Sequence, residues 1–213
     1  MARNTAARLY LVVEAGADPR ALAPLLGAAD AAALLIVAAE GGRLDVAGAR
    51  PLVEMAQANG VAALITADAS LARTLRADGV HLPWSKDVIA RFGEAREILG
   101  GRYIVGADAG RSRHDAMTLG EAGADYVGFG IPSHVKDRDT ARERRLDLVA
   151  WWSEIFELRG VAFDVETADD AAALARAGAD FVAVRVPASL AAEERAAWLL
   201  KVQQAVAEPE GVA

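Results

Sequence analysis

Short apolar runs of strand length recur along the chain. Each is followed by a longer stretch in which apolar positions return every three or four residues, usually closing on glycine. The runs predict strands and the longer stretches predict helices. Strands are expected at Leu9–Val13, Ala33–Ala38, Ala62–Thr66, Gly79–Leu82, Tyr103–Ala107, Tyr126–Gly130, Val161–Val165 and Phe181–Val186. Helices are expected from Asp18-Pro19 to Leu26, Val46 to Asn59, Asp68 to Arg76, Asp87 to Leu99, Ser112 to Gly123, Asp139 to Leu158, Thr167 to Gly178, and Leu190 to Val206. Pro19 suits a first helical turn, and Asp68, Ser112 and Thr167 suit N-caps.

The junction of helix and strand is itself repeated: AGADYV at Ala122–Val127, AGADFV at Ala177–Val182, and the shorter ADGV at Ala77–Val80. In the first copy, Gly123 stands where a helix C-cap favours a left-handed residue. Eight strands alternate strictly with eight helices, and the strands are apolar on both faces, as a buried parallel sheet requires. The pattern predicts a single (β/α)8 TIM barrel over residues 1–206, with 207–213 a frayed tail. An open doubly wound sheet is the alternative, but no G-x-G-x-x-G follows the first strand.

Composition narrows the partners. The chain has 213 residues and a formal net charge of −7, which argues against nucleic acid or an anionic membrane. It has no cysteine, so disulfides, thiolate metal sites and a cysteine nucleophile are excluded. No run is long and apolar enough to span a membrane, and MARNTAARLYLVV is not signal-like, so a cytoplasmic protein acting on a small-molecule ligand is expected. Trp151, Trp152 and Trp198 read as packing residues or as a patch for homo-oligomer assembly.

In a (β/α)8 barrel, chemistry sits at the C-terminal ends of the strands. The residues there are Glu14, Glu40, Asp68, His81 with Asp87 beyond it, Asp108, then Ser133, His134 and Lys136, then Asp164, Glu166 and Arg185. Gly128 and Gly130 allow close approach to the backbone. Asp68 reads as a helix cap. The ring of carboxylates suits either a hard divalent cation such as Mg2+ or a set of ion pairs with Lys136, Arg185 and Arg43. His81 lies within a strand and reads as packed, whereas His134, in a loop, can act as acid or base near neutral pH. The run KDRDTARERR at Lys136–Arg145 reads as a solvated loop and first helical turns, with Lys136 and one arginine able to reach an anionic substrate.

LYLVV at Leu9–Val13, ADGVHL at Ala77–Leu82 and GADYVGFG at Gly123–Gly130, in that order and spacing, resemble the thiamine phosphate synthase and thiazole tautomerase superfamily. The resemblance covers nearly the whole chain. It implies a small barrel that joins a hydroxymethylpyrimidine diphosphate to a thiazole phosphate, with Mg2+ on the diphosphate. Carried over by position, Asp68 matches a metal-binding aspartate, and Asp87 stands one place beyond the second. Asp108 replaces a serine after the fifth strand, and Lys136 matches the lysine that closes the loop after the sixth. His134 is a displaced counterpart of the tautomerase histidine, whose own place is taken by Ile131. Asp108, His134 and Lys136 are therefore the catalytic candidates.

The substrate-binding candidates are Glu40, Gly130, Ser133, Asp164 and Arg185. Three of them depart from the family pattern. Glu40 ends IVAAE at Ile36–Glu40, where the family carries cations for diphosphate. Asp164-Val165 replaces a Gly-Gly, and Arg185-Val186-Pro187 replaces a serine-containing phosphate turn. A carboxylate beside a phosphate costs on the order of a few kcal/mol at an effective dielectric of ~20. The expectation is a synthase-like barrel with weakened phosphate sites. A binding or assembly barrel without chemistry, or a paralogous enzyme with another small-molecule substrate, stands beside it.

Overall fold

The computed structural model describes residues 6–39, 41–187 and 190–207. Among these, eight parallel strands close into a barrel in sequence order, β1 pairing with β8. The strands are β1 Arg8–Glu14, β2 Ala33–Val37, β3 Ala62–Thr66, β4 Gly79–Leu82, β5 Ile104–Asp108, β6 Tyr126–Phe129, β7 Arg159–Val165 and β8 Phe181–Arg185. The helices are α1 Pro19–Ala28, α2 Val46–Ala58, α3 Ala69–Leu75, α4 Val88–Leu99, α5 Arg113–Glu121, α6 Arg138–Ile155, α7 Ala168–Arg176 and α8 Ala192–Ala207. The closed sheet rules out the open one. Most boundaries fall within one or two residues of those expected. The largest shift is at α6, which stops at Ile155 because the chain turns extended at Phe156 and begins β7 at Arg159. The caps form as the sequence implies: Asp18, Asp68, Ser112 and Thr167 accept backbone N–H groups of their first turns, and Gly123 is left-handed at φ +85°.

Two apolar layers follow from the alternation of side chains along each strand. Leu9, Leu11 and Val13 of β1 face the helices, with Leu34, Ile36, Val80, Val127 and Phe129 from other strands. Tyr10 and Val12 face the interior, with Leu35, Leu64, Tyr126, Val161 and Phe163. An eight-stranded interior is just wide enough to be filled by side chains. Here aromatic rings fill it against glycines. A Cβ at Gly106 would lie 2.0 Å from Cζ of Tyr126, and one at Gly128 would lie 3.0 Å from Cε2 of Phe163. Trp152 is buried at the helix layer against Phe129 and Phe156, so it is a packing residue. Trp151 lies under the Arg113 guanidinium, 4.7 Å from the ring centroid.

Among the described residues, the regular register of the closed sheet breaks at the end of β7. The register with β8 shifts between Ala162 and Val165, and Asp164 adopts φ +58°. Arg145 on α6 is 1% exposed and holds this bulge. Its guanidinium donates to the carbonyls of Phe163 (2.5 Å) and Asp164 (2.8 Å) and pairs with both oxygens of Asp170 (2.6 and 2.7 Å). The arginine-rich run is thus not a uniformly solvated face. Arg138 and Arg142 reach Glu166 after β7, Arg142 also reaches Asp139, and Arg145 is built into the fold.

Candidate active site

The C-terminal mouth encloses a cavity of about 540 Å3, lined among others by His81, Trp84, Asp108, Phe163, Asp164 and Arg185. That volume is in the range of small-molecule sites. Its floor is set by strand alternation. His81 and Asp108 are the last inward residues of β4 and β5, and both are buried. The His81 ring stacks on Tyr126 (centroids 5.9 Å apart, planes 3°) and on Phe163 (4.4 Å, 27°). Burial pushes its pKa down to about 3, so the imidazole is neutral at physiological pH.

Asp108 and Asp164 form the acidic wall. Asp108 Oδ1 accepts the backbone N–H groups of Gly110 (2.6 Å) and Gly130 (3.1 Å), and Asp164 Oδ2 accepts that of Ile131 (2.7 Å). A Cβ at Gly130 would lie 2.3 Å from Oδ2 of Asp108 and 3.0 Å from Oδ2 of Asp164, so this glycine lets two carboxylates converge on one stretch of backbone. Burial, with Asp164 nearby, pushes the Asp108 pKa up to about 6 despite the two N–H donors. The acid can therefore hold or release a proton close to neutral pH.

The rim carries the charges and the loop after β6. Arg185 pairs with Glu14 (3.3 Å) and Arg138 with Glu166 (3.3 Å), in both cases partly exposed. They are the two arginines among the described residues lining the cavity. Ser133 and His134 line the rim, and the His134 ring lies 5.2 Å from that of Trp84.

The structure therefore gathers Asp108, Ser133, His134, Asp164 and Arg185 around one cavity, with Gly130 against the two aspartates. Lys136 is exposed in the same loop and does not line it, nor do Asp68 and Asp87. Glu40 lies outside the described residues. Asp68 spends Oδ1 on the N–H of Leu71 at the start of α3 (2.8 Å), while Asp87 is fully exposed at the start of α4. Among the described residues, no three acidic or imidazole side chains come together as a metal site. Magnesium at Asp68 and Asp87 fits only as a cation that takes most of its octahedron from water and ligand oxygens, its usual habit.

The sequence reading passed over Phe163, Trp84 and Arg138 as site residues and treated His81 as packing. The inward phase of each strand, counted back from its final residue, is the signal that points His81 and Phe163 to the cavity.

A family model described as thiamine monophosphate synthase matches residues 9–187. A thiamine-phosphate synthase of Erythrobacter litoralis is 44% identical over 151 residues, 70% of this chain and 69% of its own length. One of Hyphomonas neptunium is 38% identical over 187 residues, 83% of each chain. Among solved structures, thiamine phosphate pyrophosphorylase from Pyrococcus furiosus superposes with a TM-score of 0.71, covering 95% of this chain and 98% of that one. At 21% identity it speaks to the fold alone. No described helix is long and apolar enough to cross a membrane. By the span of the family match and the identity of these relatives, the chain belongs to the thiamine monophosphate synthase family.

Proposed function

We propose that this chain is a thiamine phosphate synthase, acting in the cytoplasm on two small molecules bound at the barrel mouth. The observation that carries the reading is that the family match, residues 9–187, takes in the C-terminal end of every strand from β1 to β8 and hence the whole lining of the cavity.

The reaction breaks the bond between the pyrimidine methylene carbon and its diphosphate oxygen. It forms a bond from that carbon to the thiazole nitrogen, and diphosphate leaves. Positive charge develops on the organic fragments, first at the methylene carbon and finally on the thiazolium ring. Carboxylates already fixed in place stabilise such charge without reorganising. Asp164, and Asp108 above its pKa of about 6, supply them here. Phe163 and His81 offer a flat aromatic face on which a heterocycle can lie. Arg138 and Arg185 supply cations for the phosphate groups. Their carboxylate partners are exposed enough that exchanging them for phosphate costs little, about 1 kcal/mol or less per pair. Magnesium, held by Asp68 and Asp87, would neutralise the departing diphosphate.

A second reading rests on the acidity of the same wall. Asp108, Asp164 and Glu166 all line the cavity, which favours a paralogous enzyme for a basic, unphosphorylated heterocycle. Titration calorimetry separates the two. The synthase reading expects binding of thiazole phosphate, and of pyrimidine diphosphate with Mg2+, followed by formation of thiamine phosphate. Binding of the unphosphorylated rings alone, without turnover, would favour the second.

A further inference from the structure

Beneath the cavity floor lie three polar side chains that the reaction above does not use as a set. Tyr10 of β1, Tyr126 of β6 and His81 of β4 are all 5% exposed or less. The Tyr10 and Tyr126 hydroxyl oxygens are 2.9 Å apart, and the Tyr126 hydroxyl is 2.9 Å from Nδ1 of His81. Among the described residues, Tyr10 makes no other hydrogen bond through its hydroxyl. Among the described residues, no group hydrogen-bonds to Nε2 of His81. Nor is Nε2 sealed off, because among the described residues the only buried side-chain polar atoms without a partner are the Nε atoms of Arg145 and Arg195. Since His81 lines the cavity, Nε2 opens into it.

Only one order of protons satisfies every donor in this chain. A hydroxyl donates once. If Tyr126 donated to Tyr10, the Tyr10 proton would have no acceptor in a buried site, at a penalty of about 1–3 kcal/mol. If Tyr10 donates to Tyr126, the Tyr126 proton goes to the other neighbour, Nδ1 of His81. The imidazole, kept neutral by burial, must then carry its proton on Nε2.

We propose that Tyr10 and Tyr126 form a proton-ordered chain that fixes His81 as the Nε2–H tautomer, so that the cavity floor presents a neutral hydrogen-bond donor to an acceptor atom of the ligand. Tyr126 is the positioning residue, Tyr10 fills its acceptor side, and His81 is the group that faces the ligand. The acceptor it selects is a ring nitrogen or carbonyl oxygen with an in-plane lone pair, which a pyrimidine nitrogen provides and a protonated or N–H-bearing ring atom does not. The inference rests on the cavity being the ligand site, but the proton order itself needs no turnover.

With three histidines in the chain, 15N spectra of histidine-labelled protein resolve His81 directly. The expected result is a bare Nδ1 and a protonated Nε2, unchanged from pH 8 to pH 5. Adding hydroxymethylpyrimidine without its diphosphate should shift the Nε2–H resonance downfield. Tyr126→Phe should abolish the tautomer preference. Tyr10→Phe should keep it, because the Tyr126 hydroxyl still needs an acceptor, and loss of the Nε2–H form in this milder variant would overturn the proposal even if Tyr126→Phe does not fold. A protonated Nδ1, an averaged tautomer in the unmodified protein, or an Nε2–H resonance unmoved by the pyrimidine would overturn the proposal. Absence of thiamine phosphate formation with the Nε2–H signature and the pyrimidine shift intact would sink the synthase reading and leave this one standing.

Discussion

Asp108 and His81 share the cavity floor and titrate in opposite directions. The pH dependence of stability therefore tests the electrostatics of the site. Asp108 is buried with its pKa raised from 3.8 to about 6. The folded state holds its proton more tightly than the unfolded state. Its contribution is thus fully present below pH 3.8 and is lost as pH rises through 6. At 1.36 kcal/mol per unit, the loss is on the order of 3 kcal/mol. His81 is buried with its pKa lowered from 6.5 to about 3, so its contribution is present above pH 6.5 and falls away toward pH 3. Between pH 4 and 6 the two slopes oppose one another, and in the unmodified protein they nearly cancel.

Asp108→Asn removes one of them. Asparagine keeps an Oδ1 for the N–H groups of Gly110 and Gly130, and it places a neutral amide beside Asp164. Relative to the unmodified protein, the variant should gain stability on going from pH 4 to pH 7, by on the order of 3 kcal/mol. Taken alone, its stability should fall steeply between pH 6 and pH 4, because the His81 slope is no longer opposed. Urea unfolding followed by tryptophan fluorescence at half-unit intervals measures both. A stability difference between the two proteins that does not vary from pH 4 to pH 7 would refute the argument.

Three further substitutions probe separate parts of the account. Arg145→Met strands Asp170 and the carbonyls of the β7 bulge, and should lower unfolding stability by about 3–5 kcal/mol, measured by urea denaturation. Gly106→Ala drives a methyl into the Tyr126 ring and should cost about 1–3 kcal/mol while disturbing the near-ultraviolet dichroism of the buried tyrosines. Asp68→Ala removes a helix cap worth about 1 kcal/mol, whereas Asp68→Asn keeps the cap. If Asp68 serves magnesium, both variants should lose thiamine phosphate formation, and only the first should lose thermal stability.

The barrel was legible because each level of the sequence agreed. Apolar runs such as Leu34–Ile36, caps such as Asp68 and the left-handed Gly123 all point to the same alternation. The end of β7 was not legible. VAFDV at Val161–Val165 reads as a strand with one polar residue near its end, and nothing in it marks a register shift at Asp164; Arg145, which holds the bulge, sits in a charge run that reads as solvent-facing because nothing local marks one arginine of KDRDTARERR as buried. The aspartates after the strands were legible as a group, but their division of labour was not. Asp68 and Asp108 follow strands alike, yet one caps a helix in solvent while the other is sealed over the barrel floor. His81 was readable only through the phase of β4. Its partners Tyr10 and Tyr126 are far apart in sequence and meet because closure brings β1 and β6 to opposite sides of a narrow interior.

The most direct test of the central claim is an assay of the purified protein for thiamine phosphate, given pyrimidine diphosphate, thiazole phosphate and Mg2+. The account predicts product, and loss of product in Asp68→Asn. A folded protein that binds neither substrate and forms no thiamine phosphate would contradict it.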